Sequence, residues 1–263
     1  MKIGFIGGGN MAGAILDGVL RASLCTKGEL VVCDKNPSAL AKFSGIQTAA
    51  ENTVALPSDY VILAVKPQVL PCVLQEIVDS GKDISKTVFV SIVAGASVDS
   101  IRKILGDRAK IVRVMPNTPA TVLAGMTVVA EKEAQLTEEE FSGAIAIFDA
   151  IGKTEILPEQ MLNSVIGISG SSPAYVFMMI EAMADAGVRD GLARDTAYRL
   201  AAQSILGSAK MVLESGMHPG VLKDMVCSPK GTTIEAVAEL EKRGFRAALI
   251  EAIKKCNEKA NNL

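Results

Sequence analysis

Short runs of consecutive apolar residues alternate with longer helical patterns through the first half of the chain. The runs fall at residues 2–6, 30–33, 60–65, 87–91 and 110–114, with a sixth near 126–130. Between them, residues 10–21, 68–79 and 137–150 repeat their apolar positions at helical spacing. Strands that are apolar on both faces and separated by helices belong in a parallel sheet covered on each side. The pattern therefore predicts an α/β, doubly wound Rossmann-type domain with a mostly parallel sheet over residues 1–157. Thr137 and Glu140 have the spacing of a capping box at the start of its last helix.

Past residue 157 strand patterns stop, and Ala, Met and Leu recur at helical spacing. Helices are predicted at 173–189, 194–214, 221–225, 232–242 and 245–263, so residues 158–263 form an all-α C-terminal domain. The first of them opens at Pro173, a residue suited to a helix start. It continues Ala174-Tyr175-Val176-Phe177-Met178-Met179-Ile180, apolar around its whole circumference. Such a helix needs cover on every side. Either a second copy of the chain completes the core, or the helix is central in a monomeric bundle. Five helices offer little protein for the second arrangement, so a homodimer or larger homo-oligomer is expected. Residues 160–180 carry no charge, but Asn163, Ser164, Ser169 and the run Gly170-Ser171-Ser172-Pro173 interrupt them. A spanning helix wants roughly 20 mostly apolar residues in a row, and the stretch is read as non-spanning.

Composition then removes whole classes of function. The net charge is −2 and aromatic residues are 4% of the chain. A nucleic-acid partner, which needs clustered cations and stacking platforms, is not expected. The five cysteines form no C-x-x-C pair and read as small buried residues in a reducing, cytoplasmic setting. No signal peptide is expected, since a strand pattern follows Lys2 at once. His218 is the single histidine, which excludes zinc sites built on paired histidines and leaves no metal site to predict. It sits in Met217-His218-Pro219-Gly220 and reads as a helix-start residue.

The strongest chemical signal is Gly7-Gly8-Gly9-Asn10-Met11-Ala12, a G-x-G-x-x-A pattern between the first strand and the first helix. Gly7 permits the tight turn, Gly9 lets the backbone approach a pyrophosphate, and Ala12 lets helix and strand pack closely. The helix tip at Asn10 and Met11 offers unpaired N–H groups to the phosphates. The second strand ends at Asp34, placed to accept from a ribose 2′-hydroxyl, which favours NAD. Lys35, Asn36 and Ser38 follow, fit to hold a 2′-phosphate, which favours NADP. Strand ends at Ala64-Val65-Lys66-Pro67 and Ile92-Val93-Ala94 would line the same groove, though Lys66 taken alone reads more as a surface lysine than a functional one. Far downstream, Pro229-Lys230-Gly231-Thr232-Thr233 precedes a helix. It suits either an anion site of N–H groups and hydroxyls or ordinary capping by threonine.

Together these motifs resemble the pyrroline-5-carboxylate reductase family across essentially the whole chain. The resemblance rests on Phe5-Ile6-Gly7-Gly8-Gly9-Asn10-Met11, Ala64-Val65-Lys66-Pro67, Arg113-Val114-Met115-Pro116-Asn117-Thr118-Pro119, Ser169-Gly170-Ser171-Ser172-Pro173-Ala174-Tyr175, His218-Pro219-Gly220 and Ser228-Pro229-Lys230-Gly231-Thr232-Thr233. It implies hydride transfer from NAD(P)H to the cyclic imine 1-pyrroline-5-carboxylate, giving L-proline, with NADP(H) favoured and NAD(H) possible. It implies that Asn52, Lys66, Pro67 and residues 92–94 hold the cofactor. The substrate carboxylate would then lie on Gly231, Thr232 and Thr233, with Asn117 also on the substrate side and the Thr233 hydroxyl near the ring nitrogen. Two positions depart from the family. Lys230 stands where a small residue is usual, which is strained if the backbone there needs a positive φ. Met217 stands where some members carry Glu. Rossmann hydroxyacid dehydrogenases are the nearest rival, but residues 173–187 lack their lysine. A dinucleotide-sensing regulator would share the glycine turn and lack turnover.

Overall fold

The structure, a computed structural model, describes residues 1–261. The first part of the chain runs β1 (Ile3–Ile6), α1 (Asn10–Arg21), β2 (Leu30–Cys33), α2 (Pro37–Leu40), β3 (Gln47–Ala49), β4 (Tyr60–Leu63), α3 (Leu70–Asp79), β5 (Val88–Ser91), α4 (Val98–Leu105), β6 (Lys110–Met115), β7 (Gly125–Ala130), α5 (Glu138–Asp149), β8 (Gly152–Leu157) and α6 (Leu162–Val165). The strands form one sheet in the order β3-β2-β1-β4-β5-β6-β7-β8. All neighbours pair parallel except β6 and β7. The chain steps outward from β1 through β2 to β3, then crosses back to β4 on the other side of β1. That reversal opens a crevice at the carboxyl ends of β1 and β4, where doubly wound sheets take ligands.

Alternation along the strands sends side chains into two cores. Ile3 and Phe5 join Ala12, Ile15 and Val19 of α1 and Phe148 of α5 on one face. Ile6, Val31 and Cys33 meet Val73 and Ile77 of α3 and Ile101 of α4 on the other. All six strands expected from apolar runs are present. Two more, β3 and β8, lie at the sheet's outer edges with largely exposed side chains, so no apolar run marks them. Thr137 and Glu140 form the expected capping box. Arg113, buried on β6, donates to Glu159 at 3.2 Å and to Asn163 at 2.7 Å, fastening the turn beyond β8 to the sheet.

By contact density Met1–Ser171 forms one compact unit, joined by the described chain from Cys256, and Ser172–Lys255 forms a second. In the first unit Asn257 accepts from the Gly167 N–H at 2.9 Å and donates to the Ser164 carbonyl at 3.0 Å. The second unit holds α7 (Ser172–Arg189), α8 (Arg194–Ser215), α9 (Pro219–Val226), α10 (Thr232–Lys242) and most of α11 (Phe245–Ala260). The last predicted helix ends in part beyond the described residues. Between 172 and 255 the buried apolar residues are Ala184, Ala197, Ala201 and Leu222. Phe177, Met178, Leu200, Leu206, Leu213 and Met225 are all more than half exposed. Among the described residues α7 is therefore not the buried centre of a bundle.

The expected interruption at 170–173 is also slighter than the sequence suggests. A π-helical turn, Ile166–Gly170, runs up to a single bent residue, Ser171, and α7 starts at Ser172. By length and composition alone, Glu159–Arg189 is long and apolar enough to cross a membrane. Yet α7 also carries Glu181, Asp185 and Arg189 one turn apart, all exposed.

Candidate functional site

The β1–α1 turn is built as the glycine pattern requires. Gly7 has φ +104, and a Cβ there would stand 2.4 Å from the Ala64 carbonyl oxygen, so only glycine fits between β1 and β4. A Cβ at Gly9 would meet nothing within 4 Å, leaving the space above the turn open. Gly9 is also the N-cap of α1 and supplies no side-chain cap. The first N–H groups of α1, at Asn10 and Met11, thus face that space without a side-chain partner. This is a cradle with the donors and partial positive charge that a pyrophosphate needs.

Asp34 follows β2 directly and turns back under the cradle. Its carboxylate accepts from the Gly8 N–H at 2.7 Å and from the Asn36 N–H at 2.8 Å. The acid expected at the ribose therefore also braces the glycine turn. Asn36 caps the short α2, accepting from the Ser38 N–H at 3.0 Å. Lys35 is not a free cation: its ammonium pairs with Glu76 of α3, and the same carboxylate accepts from the buried Asn52 amide at 2.6 Å. The Lys35 hydrogen bond, aided by Asn52, holds the Glu76 carboxyl below the usual range and raises the Lys35 pKa in turn. Lys42 donates to the Gly9 carbonyl at 3.0 Å, with its ammonium 5.1 Å from the Phe43 ring centre.

Residues 64–67 and 92–94 reach the same end of the sheet. Ala64, Val65 and Ile92 lend their side chains to the cores, Val93 is buried, and Lys66 is exposed. What these segments offer a ligand is mainly backbone, with Lys66 as a cation. Asn117 follows β6 and spends its amide on the main chain: its carbonyl accepts from the Met126 N–H at 2.8 Å and its NH₂ donates to the Ser169 carbonyl at 2.9 Å.

Sequence reasoning thus collects the strand-end residues of the first unit and misses Glu76 and Lys42. Glu76 lies on a helix whose pattern marks only its apolar side, and its partner Lys35 is 41 residues away. Apposition at that separation leaves no local signal.

In the second unit Gly231 is the N-cap of α10, with no side-chain cap, and Thr232 and Thr233 lie inside the helix. Capping by threonine is therefore not realised; the Gly231 N–H, expected to meet the substrate carboxylate, instead donates to the Ser228 carbonyl at 3.0 Å, which leaves Thr232 and Thr233 as the donors at the tip of α10. A Cβ at Gly231 would stand 2.3 Å from Ser228 Oγ and 3.0 Å from the Ser228 carbonyl oxygen, so a side chain there would make the Ser228 hydroxyl turn away. Lys230 takes φ +58, the left-handed region, which settles its conformation as the strained one. His218 caps α9, its Nδ1 accepting from the Gly220 N–H at 3.0 Å.

Two family descriptions match different parts of the chain. A profile described as pyrroline-5-carboxylate reductase dimerisation matches residues 159–263, and one described as NADP oxidoreductase, coenzyme F420-dependent, matches 2–95. The chain is 51% identical to pyrroline-5-carboxylate reductase of Escherichia coli, covering 100% of this chain and 98% of the relative. Against the Methanosarcina acetivorans enzyme it is 41% identical, with 100% and 97% covered. Among solved structures, Plasmodium falciparum pyrroline carboxylate reductase with NADP bound superposes with a TM-score of 0.90 at 30% identity, covering 100% of this chain and 97% of that one. The Streptococcus pyogenes enzyme gives 0.88 at 32%, with 100% and 99% covered. With a glycine cradle at one end of the sequence, an uncapped helix tip at the other, and such agreement along its whole length, the chain belongs to the pyrroline-5-carboxylate reductase family.

Proposed function

We propose that this chain reduces 1-pyrroline-5-carboxylate to L-proline, the last step of proline biosynthesis, with NADP(H) favoured and NAD(H) accepted. The observation that carries the reading is 51% identity to a reductase of that name along the full chain, with the cradle intact. A bound nicotinamide supplies the hydride to the imine carbon, and a proton goes to the ring nitrogen.

The chain's own groups hold and orient. Gly7, Gly9, Asn10 and Met11 grip the pyrophosphate through backbone N–H groups. Asp34, Lys35 and Asn52 hold the adenosine ribose end. Ala64 to Pro67 and Ile92 to Ala94 line the remaining groove, with Lys66 as its cation. The backbone N–H groups of Thr232 and Thr233 at the tip of α10, beside Gly231, take the substrate carboxylate, and the Thr233 hydroxyl stays near the ring nitrogen. Asn117 stands on the substrate side as a clamp on the main chain. An imine is basic enough to take its proton from water or a weak donor, so no strong acid is required. Orientation carries the catalysis, and fixing two reactants can lower a barrier by roughly 7–11 kcal/mol.

In this reading residues 1–157 bind the dinucleotide, and residues 158–263 form a homodimer or larger homo-oligomer and bind substrate. Five cysteines without disulfides support a reducing, cytoplasmic setting. The test is oxidation of NADPH and of NADH in the presence of 1-pyrroline-5-carboxylate. Thr233→Ala is expected to lower turnover by about 10–100-fold while cofactor affinity stays within about 2-fold, as for a group acting at the reacting atoms. Equal loss of both, or no loss, overturns the role of Thr233, and no substrate-dependent oxidation by the unaltered chain overturns the function.

A further inference from the structure

One carboxylate, Glu76, holds two of the three residues assigned to the adenosine end, Lys35 and Asn52. Its Oε1 pairs with the Lys35 ammonium and its Oε2 accepts from Asn52 Nδ2 at 2.6 Å. Glu76 sits on α3, 41 residues from Lys35 and 24 from Asn52, so the contact is made by the fold. Its side chain is one-third exposed and that of Lys35 two-thirds, so the pair faces solvent on one side.

The two forms of the cofactor differ there by one group. A 2′-phosphate brings close to two negative charges and wants Lys35 for itself. It would meet an ammonium already neutralised, with a carboxylate beside it. A 2′-hydroxyl brings no charge, can donate to a carboxylate, and leaves the Lys35–Glu76 pair standing. We infer that Glu76 is a cofactor-specificity residue: it occupies Lys35 and repels the 2′-phosphate, and so keeps NADH admissible in a site otherwise suited to NADPH. The inference rests on the proposed placing of Lys35 and Asn52 at the ribose.

Glu76→Gln tests it with little change of shape, since the amide oxygen still accepts from Asn52 while the charge on Lys35 is released. KM for NADPH is expected to fall about 2- to 5-fold, the range of a solvent-facing ion pair. KM for NADH, KM for 1-pyrroline-5-carboxylate and kcat are expected to hold steady, so that the preference for NADPH rises. An unchanged or lowered NADPH preference overturns the inference, and so does equal weakening of both cofactors, which would make Glu76 a support and nothing more. Lys35→Gln separates this from failure of the underlying assignment. If it weakens NADPH selectively while Glu76→Gln does nothing, only the role of Glu76 falls. If neither variant moves either cofactor's KM, the ribose site itself is elsewhere.

Discussion

Lys230 shows how one residue can be strained by the neighbour it serves. Its φ of +58 lies where a Cβ crowds the following carbonyl, at a cost of about 1–2 kcal/mol for a residue with a side chain. Gly231, next in line, needs no such φ and instead lies close against the Ser228 hydroxyl. The two positions differ in kind: Lys230 carries the positive φ, and Gly231 carries the close approach to Ser228. Lys230→Gly relieves the backbone but loosens the unfolded chain, which offsets about 0.4–1 kcal/mol. The net expectation is a gain of about 0.5–1 kcal/mol, read as a higher urea midpoint at fixed protein concentration. A lower midpoint would mean that the lysine side chain makes contacts worth more than the strain. Much at this scale was legible: the tight turn at Gly7 and the close packing of Ala12 follow from backbone geometry that any such glycine turn must satisfy. What was hidden depended on distant partners. Asp34 bracing Gly8, and Glu76 joining Lys35 to Asn52, are pairings that no spacing announces.

Among elements, legibility follows burial. Strands of the sheet interior read as apolar runs because both their faces are covered, whereas β3 and β8 at the edges do not. The contact between β4 and α5 is of the hidden kind. Tyr60 is buried, and its hydroxyl donates to the Glu140 carbonyl at 3.0 Å in the first turn of α5. A Cβ on Gly143 would stand 2.0 Å from that hydroxyl, so the glycine makes room for it. Burial, with Glu140 and Asp59 adding to it, pushes the Tyr60 pKa from 10.0 up to about 12. Burial likewise raises Cys33 from 9.0 to about 11. Both groups hold their protons more tightly folded than unfolded, so the unfolded chain releases them first as pH rises. Their contribution is whole below about pH 9 and is lost between there and pH 12, Cys33 leading and Tyr60 following. Tyr60→Phe should cost about 0.5–1.5 kcal/mol at neutral pH for the lost hydrogen bond. It should also flatten the fall of stability between pH 10 and 12 while leaving the earlier part in place. Denaturation midpoints across that range check it; an unchanged alkaline slope would count against Tyr60 as its source.

For the whole molecule, the helical unit needs a cover, since α7 and α8 leave large apolar side chains in water. Burying six residues such as Phe177, Met178 and Leu213 is worth on the order of 10 kcal/mol. A bilayer and a second copy of the chain would both supply that cover. The charges decide between them: Glu181, Asp185 and Arg189 form a polar stripe along α7, which lipid would not tolerate and a protein partner with one open edge would. The family's dimerisation region, matched over 159–263, begins where the apolar segment does. The sequence shows the need for cover at residues 174–180, and the spacing of Glu181, Asp185 and Arg189 puts their charges on one side of the same helix. Phe177→Asp puts a charge into the surface that the second copy should dry, at several kcal/mol. The expected result is a monomer in sedimentation velocity at concentrations where the unaltered chain is associated, with reductase activity lost alongside. Met178→Leu, which keeps the apolar surface, should leave both unchanged. A wild-type chain that sediments as a monomer, or that leaves the membrane fraction only in detergent, would show that something other than a second copy lies on α7.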